Sequence, residues 1–164
     1  MKYALIALTA VACLSASAGA QDATDAESIA RAYMAHYSAV DFDAMEAYMA
    51  EDVVFDDPTA LGEGVGADGL HLEGREAGLA MLRNFAETSH PIELGFVWDT
   101  VFASNNRVVF MGEVNALYPT DTDGQTFRWR ASQVTVVTVR DGLVVHHQDF
   151  ANYAGADQSL VLAQ

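Results

Sequence analysis

Cysteine is nearly absent from this chain, and so is lysine: Cys13 and Lys2 are the only examples of either. Both fall within the first twenty residues. The remainder therefore offers no thiol nucleophile, no disulfide and no cysteine-bound metal, and without lysine it has no Schiff-base chemistry. Positive charge is scarce altogether. Seven arginines stand against 23 acidic residues, and the whole chain carries a formal net charge of −15. Such a balance repels nucleic acid and anionic membrane surfaces, and reads first as solubility in a salty medium. Beyond the N-terminal segment no apolar run approaches the ~20 residues that a membrane span needs.

What is there begins with an export signal. Lys2, the apolar run from Ala4 to Leu14 and the small residues Ala18-Gly19-Ala20 read as a signal peptide over residues 1–20, cleaved before Gln21. The expected product, residues 21–164, has the length of one ordinary domain and is destined for the periplasm or the outside. A second reading takes Ala10-Val11-Ala12-Cys13 as a lipidation box and makes the protein a lipoprotein. In either case a core must hold the domain without disulfides, and a 51% hydrophobic composition permits one.

The hydrophobic period then divides the chain. Ile29, Ala32, Tyr33, Tyr37 and Val40 recur at helical spacing, behind a capping box of Thr24 and Glu27. Asp41 caps a second helix carrying Met45, Tyr48 and Met49, and Val53-Val54-Phe55 is too β-branched to continue it. Leu61 to Gly74 is a glycine-rich loop, expected to form a pocket lip, and Arg75 to Glu87 is a third helix buried along Leu79, Leu82 and Phe85. From Ile92 the period becomes two. Ile92 to Trp98 alternates as a half-buried strand, turns at Ser104-Asn105-Asn106, and returns as Arg107 to Tyr118. Pairing at positions summing to about 210 sets Trp98 opposite Gly112, where a glycine leaves room for the indole. Phe127 to Val139 is a long strand. A three-residue turn, Arg140-Asp141-Gly142, leads into Leu143 to Tyr153, pairing Val137 with Val145, Thr135 with His147 and Gln133 with Asp149. Ala154 to Gln164 reads as a tail.

Arg31-Ala32-Tyr33 and Asp57-Pro58 carry a resemblance. Around them the chain resembles the nuclear transport factor 2-like superfamily, the fold of SnoaL-like polyketide cyclases and ketosteroid isomerases. The resemblance implies an α+β cone, three helices packed on a curved, mostly antiparallel sheet, over residues 21–164. It also implies roles. Tyr33 and Asp57 lie 24 positions apart, matching the phenol and catalytic carboxylate of ketosteroid isomerases. There the carboxylate moves a proton α to a carbonyl while the phenol donates to the enolate oxygen. Those enzymes add a protonated aspartic acid on a late strand. This chain has Gln133-Val134-Thr135 instead, which argues against steroid isomerisation and makes Gln133 the available donor. Gln148-Asp149-Phe150-Ala151-Asn152 is similar to the last strand of SnoaL-like proteins and limonene epoxide hydrolases. Glu113 and Asn115 do not reproduce the charged partners of the hydrolases, so epoxide opening is not implied.

From the residues themselves, His147 and Asp149, two apart on a strand, form a second acid/base pair. The bland readings stand beside these: Tyr33 as a core tyrosine, Asp57 as the start of a turn, Asp149 held by Gln133. Trp98, Phe96, Phe110, Tyr37 and Thr135 join Gln133 as candidate ligand contacts. Adjacent strand residues face opposite ways, so His146 and His147 cannot hold one ion, and His36 is the only other imidazole near them; no metal or cofactor is expected. The expected partner is a small apolar or carbonyl-bearing ligand, in a cavity onto which both Tyr33 and Asp149 open, with Asp57 or Asp149 as base. The alternative is a non-catalytic ligand carrier or dimeric binding module using the same cavity, and a third reading is a partner-binding subunit using the outer sheet face.

Overall fold

The computed structural model describes residues 15–61 and 65–162, with side chains from residue 25 onward. Three helices, α1 (Ser15–Ser38), α2 (Phe42–Glu46) and α3 (Arg75–Ser89), pack on seven strands. The strands are β1 (Met49–Asp57), β2 (Leu70–Glu73), β3 (Val97–Ser104), β4 (Arg107–Pro119), β5 (Gln125–Arg140), β6 (Leu143–Ala151) and β7 (Asp157–Leu162). They form one sheet in the order β2-β1-β6-β5-β4-β3, with β7 on the free stretch of β5. Every pairing is antiparallel except β1 with β6. This is the expected α+β cone.

The helices form where the periodicity puts them. Ala26, Ala30, Tyr33, Met34 and Tyr37 are buried along one stripe of α1, as 3.6-residue spacing requires. Each large side chain among them contributes about 1.5–3 kcal/mol by leaving water. The Asp41 side chain accepts from the Ala44 amide and caps α2. Two boundaries differ from expectation. α1 begins at Ser15, upstream of the expected cap at Thr24 and across the expected cleavage point, while residues 1–14, with the lipidation-box Cys13, lie outside the described residues. Met49 opens β1 rather than closing α2, because its side chain and that of Ala50 are buried under the sheet rather than on a helical stripe.

The strands supply several corrections. The glycine-rich segment contains β2, which pairs Leu70–Glu73 with Asp57–Val54. Gly69 permits that return: its φ is +84°, and a Cβ there would lie 2.3 Å from the Asp57 carbonyl oxygen. β3 begins only at Val97; upstream, Glu93 alone bridges Leu117, and Gly95 turns the chain with a φ of +56°. Trp98 does sit opposite Gly112, but the glycine accommodates backbone. A Cβ at Gly112 would lie 2.0 Å from the Val97 carbonyl oxygen and 2.9 Å from Trp98 Cα, beside a register shift between Trp98 and Thr100.

The β5–β6 hairpin turns on two residues, Asp141 and Gly142, both with positive φ, so Arg140 pairs Leu143. A bulge at Val145 then moves the register further: Val137 faces His147, Thr135 faces Asp149 and Gln133 faces Ala151. The extra residue lets Val144 and His147 both turn inward, where each is fully buried. The tail is a 3-10 turn, Tyr153–Gly155, followed by β7.

Candidate functional site

Strand alternation carries the site. Along β1, Val53, Phe55 and Asp57 face inward and are buried, so an acidic residue ends an otherwise apolar inner row. β5 sends Gln133 and Thr135 to the same side, and β6 sends His147 and Asp149. Against this polar centre lies a cavity of about 390 Å³, large enough for a small organic ligand. Its walls are apolar: Leu70 of β2, Met81, Leu82 and Phe85 of α3, Phe96 before β3, and Tyr118, Phe127 and Trp129 of the far strands. Its polar groups are Tyr37, Asp57, Gln133, Asp149 and Tyr153.

Asp57 is held on both oxygens. Oδ1 accepts from the Thr59 amide at 2.9 Å and the Thr59 hydroxyl at 2.6 Å, and Oδ2 accepts from the Tyr153 hydroxyl at 2.7 Å. Thr59 is fixed in turn by the Ala151 amide, 2.8 Å from its hydroxyl oxygen. Burial, then the bond to Asp57, pushes the Tyr153 phenol well above its ordinary range. Thr59 was not among the expected site residues, and Tyr153, expected on the strand that carries Asp149, lies in the 3-10 turn that follows it.

Asp149 is built differently. Its Oδ1 accepts from Gln133 Nε2 at 2.8 Å and from the Thr135 hydroxyl. Its Oδ2 lies 2.9 Å from His147 Nε2. That contact is close but bent away from the ring N–H direction, an electrostatic contact rather than an aligned hydrogen bond. Behind it, His147 stacks on Phe55 with ring centroids 4.1 Å apart, and its Nδ1 meets the Tyr33 hydroxyl at 3.1 Å. Burial, followed by the nearby Asp149 charge, holds the Tyr33 phenol well above its ordinary range. The phenol therefore keeps its proton, and the imidazole tautomer decides whether its hydroxyl donates to Nδ1 or accepts from it.

The expected residues thus separate. Asp57, Asp149, Gln133, Tyr37 and Phe96 meet in one cavity. Tyr33 does not open into it: the side chain is fully buried behind His147, and its hydroxyl is spent there. Its neighbour one helical turn on, Tyr37, lines the cavity and has no hydrogen-bond partner among the described residues. Trp98 packs at 5.4 Å on Phe110, itself a core residue, away from the lining. Thr135 is fully buried beneath Asp149. Gln133 commits its amide nitrogen to Asp149 and Thr135, so the expected donation to a ligand oxyanion is not available from it. His146 and His147 face opposite sides of the sheet, with His146 Nε2 2.6 Å from Asp56 Oδ2.

Comparison with known proteins agrees with the fold. The fold is shared with a protein assigned as a SnoaL-like polyketide cyclase from Shewanella putrefaciens CN-32, at 18% identity and a TM-score of 0.68, covering 90% of this chain and 94% of that one. It is shared with the Δ5-3-ketosteroid isomerase of Mycobacterium sp., at 17% identity and a TM-score of 0.65, covering 82% and 98%. An LEH-like epoxide hydrolase of M. tuberculosis aligns at 16% identity with a TM-score of 0.53, covering 80% and 86%. At these identities the likeness is one of fold alone. No curated protein matches the chain. The sequence profile of the SnoaL-like domain matches residues 30–147, a span that runs from the tyrosine helix through both walls of the cavity to His147, and the chain belongs to the SnoaL-like domain family.

Proposed function

We propose that this protein is an exported small-molecule enzyme that transfers a proton on an apolar, carbonyl-bearing ligand, in the manner of an isomerase or cyclase. One observation carries the reading. Two buried carboxylates, Asp57 and Asp149, share a mostly apolar cavity with the phenol of Tyr37, which has no hydrogen-bond partner among the described residues. In such a site a carboxylate removes the proton α to the carbonyl, the Tyr37 hydroxyl donates to the enolate oxygen, and the carboxyl returns the proton to a different atom of the ligand. Asp149 is assigned as the base, because the His147 imidazole 2.9 Å from its Oδ2 steadies the carboxylate from behind. Asp57, tied by Thr59 and Tyr153, is the second polar wall and fixes the ligand.

The test uses a panel of apolar ketones in deuterated water, with deuterium wash-in at the α carbon read by mass spectrometry. Asp149→Asn should reduce wash-in by about 100-fold or more, with ligand affinity little changed, and Asp57→Asn should act mainly on affinity. A panel whose bound members exchange no faster than in buffer, or whose exchange survives Asp149→Asn, removes the enzymatic reading. Export is part of the same proposal, and intact mass of protein recovered from its native host decides between a start at Gln21 and an acylated Cys13.

A second reading has its own support. All four oxygens of Asp57 and Asp149 already touch protein donors or the His147 ring, as expected of a carrier whose polar groups only orient its cargo. Under that reading both asparagine variants change affinity, and no ketone exchanges.

A further inference from the structure

The outer face of the sheet holds a second polar construction that the cavity does not use. Asp56 points outward between two histidines on neighbouring strands. His71 Nδ1 of β2 lies 2.5 Å from its Oδ1, and His146 Nε2 of β6 lies 2.6 Å from its Oδ2. One carboxylate thus bridges three adjacent strands. His71 Nε2 also stands 3.4 Å from Glu73 Oε1 on its own strand. Among the described residues, Asp56 and Glu73 are the ionisable groups that face His71, and His146 reaches it only through Asp56. α3 packs on the opposite face of β2, where Leu70 and Leu72 point inward.

β2 is where such a tie matters. It is an edge strand of four residues with β1 as its only neighbour in the sheet, too short to be held strongly by its ladder alone. Its first residue, Leu70, is a wall of the cavity and pairs directly with Asp57. The next, His71, pairs with Asp56. Whatever fastens His71 to Asp56 therefore fastens the cavity wall one residue away.

We infer that His71, Asp56 and His146 form a proton-controlled fastening, in which a charged His71 docks β2 on the sheet and closes the Leu70 wall of the ligand cavity. This rests on the reading of the cavity as the ligand site and adds its regulation. The hydrogen bond His71 donates to Asp56, then that to Glu73, raises the imidazole above its ordinary value of 6.5. Burial raises the Asp56 carboxyl, but the bonds from His146 and His71 outweigh it and leave the group below its ordinary range. A base whose folded-state value is raised stabilises fully below its unfolded value and loses that contribution as pH climbs through the folded one. The fastening is therefore complete between the ordinary values of the two groups, 3.8 and 6.5, and dissolves as pH climbs through the raised value of His71. When His71 is neutral, Asp56 and Glu73 are left as two like charges on facing strands.

Amide hydrogen exchange on the full protein tests the fastening without any ligand, at about pH 5.5 and about pH 8.5 with intrinsic rates removed. The amides of Leu70–Glu73 should lose about two- to fivefold in protection at the higher pH, the size of an exposed ion pair. His71→Gln should remove that dependence while leaving the protection of β5 and β6 unchanged. Protection of β2 that is flat with pH in the unsubstituted protein, or equally pH-dependent in His71→Gln, overturns the fastening and leaves the proton-transfer reading standing. The link to the cavity is read with the neutral apolar dye Nile red. Its affinity should weaken by a similar factor at the higher pH in the unsubstituted protein and not in His71→Gln. An exchange signal with no matching change in dye affinity overturns the control of the cavity.

Discussion

The Tyr33 hydroxyl rests 3.1 Å from Nδ1 of His147 and has no access to the cavity that His147 borders through Asp149. Tyrosines one helical turn apart on α1 thus take different parts. Tyr33 holds a buried imidazole at its Nδ1; Tyr37, further along, presents its phenol to the cavity.

Two single substitutions separate these parts. Tyr33→Phe leaves Nδ1 of a fully buried histidine without its partner, and should cost about 1–3 kcal/mol in urea unfolding. It should lower ligand affinity little. Tyr37→Phe removes a hydroxyl with no hydrogen-bond partner among the described residues, so stability should move by less than about 0.5 kcal/mol, while affinity for a carbonyl ligand falls by about tenfold. The reverse pattern would return the donor role to Tyr33.

Much of this arrangement was legible in the residues. In Val53-Val54-Phe55-Asp56-Asp57, period two alone puts Asp57 inside and Asp56 outside, and it separates His146 from His147. What escaped was geometry that no local pattern marks. Leu143, Val144 and Val145 are all apolar, so nothing there reveals the bulge that turns Val144 and His147 to the same side. Helical spacing buries Tyr33 and Tyr37 alike, and only the packing of α1 across the sheet decides which reaches the cavity. β7 depends on the Tyr153–Gly155 turn and on a stretch of β5 left free by β6, both of them non-local. Trp98 and Phe110, expected as ligand contacts, pack on each other away from the cavity lining.

Gly112 offers a test of the β3–β4 geometry. With the Val97 carbonyl oxygen 2.0 Å from the position of an added Cβ, Gly112→Ala forces backbone to move at the register shift. The expected loss is about 1–3 kcal/mol, measured by thermal or urea unfolding. Gly66→Ala is the control, because the nearest atom to its added Cβ is 3.7 Å away, and it should change stability by less than about 0.5 kcal/mol. Equal effects at the two positions would contradict the close approach of β3 to β4.

The Asp57 anchor is tested at Tyr153. Tyr153→Phe removes the hydroxyl 2.7 Å from Asp57 Oδ2 and leaves the Thr59 bonds in place. A hydrogen bond to a charged group contributes about 1.5–3 kcal/mol, and this one, half-exposed, should fall at the lower end. The variant should weaken ligand binding as Asp57→Asn does, and combining the two substitutions should cost less than their sum, because both remove the same bond. Strict additivity would show that Tyr153 and Asp57 act apart.

Alkaline titration reaches four of these phenols at once. Burial raises Tyr33, Tyr37 and Tyr153, each reinforced by nearby carboxylates, and burial alone raises Tyr118. In the unfolded chain the same groups ionise near the ordinary value of 10.0. Above that pH the folded state binds more protons than the unfolded one, so stability must fall as pH rises. The slope is about 1.4 kcal/mol per pH unit for each phenol still protonated in the fold and ionised out of it. Stability should therefore be nearly flat with respect to these groups below 10 and drop steeply above it. Phenolate absorbance should show the buried tyrosines titrating only as the protein unfolds, at a lower pH than their folded-state values. A smooth titration of all the tyrosines near 10, with secondary structure intact, would mean that Tyr33 and Tyr37 are not sealed in the core.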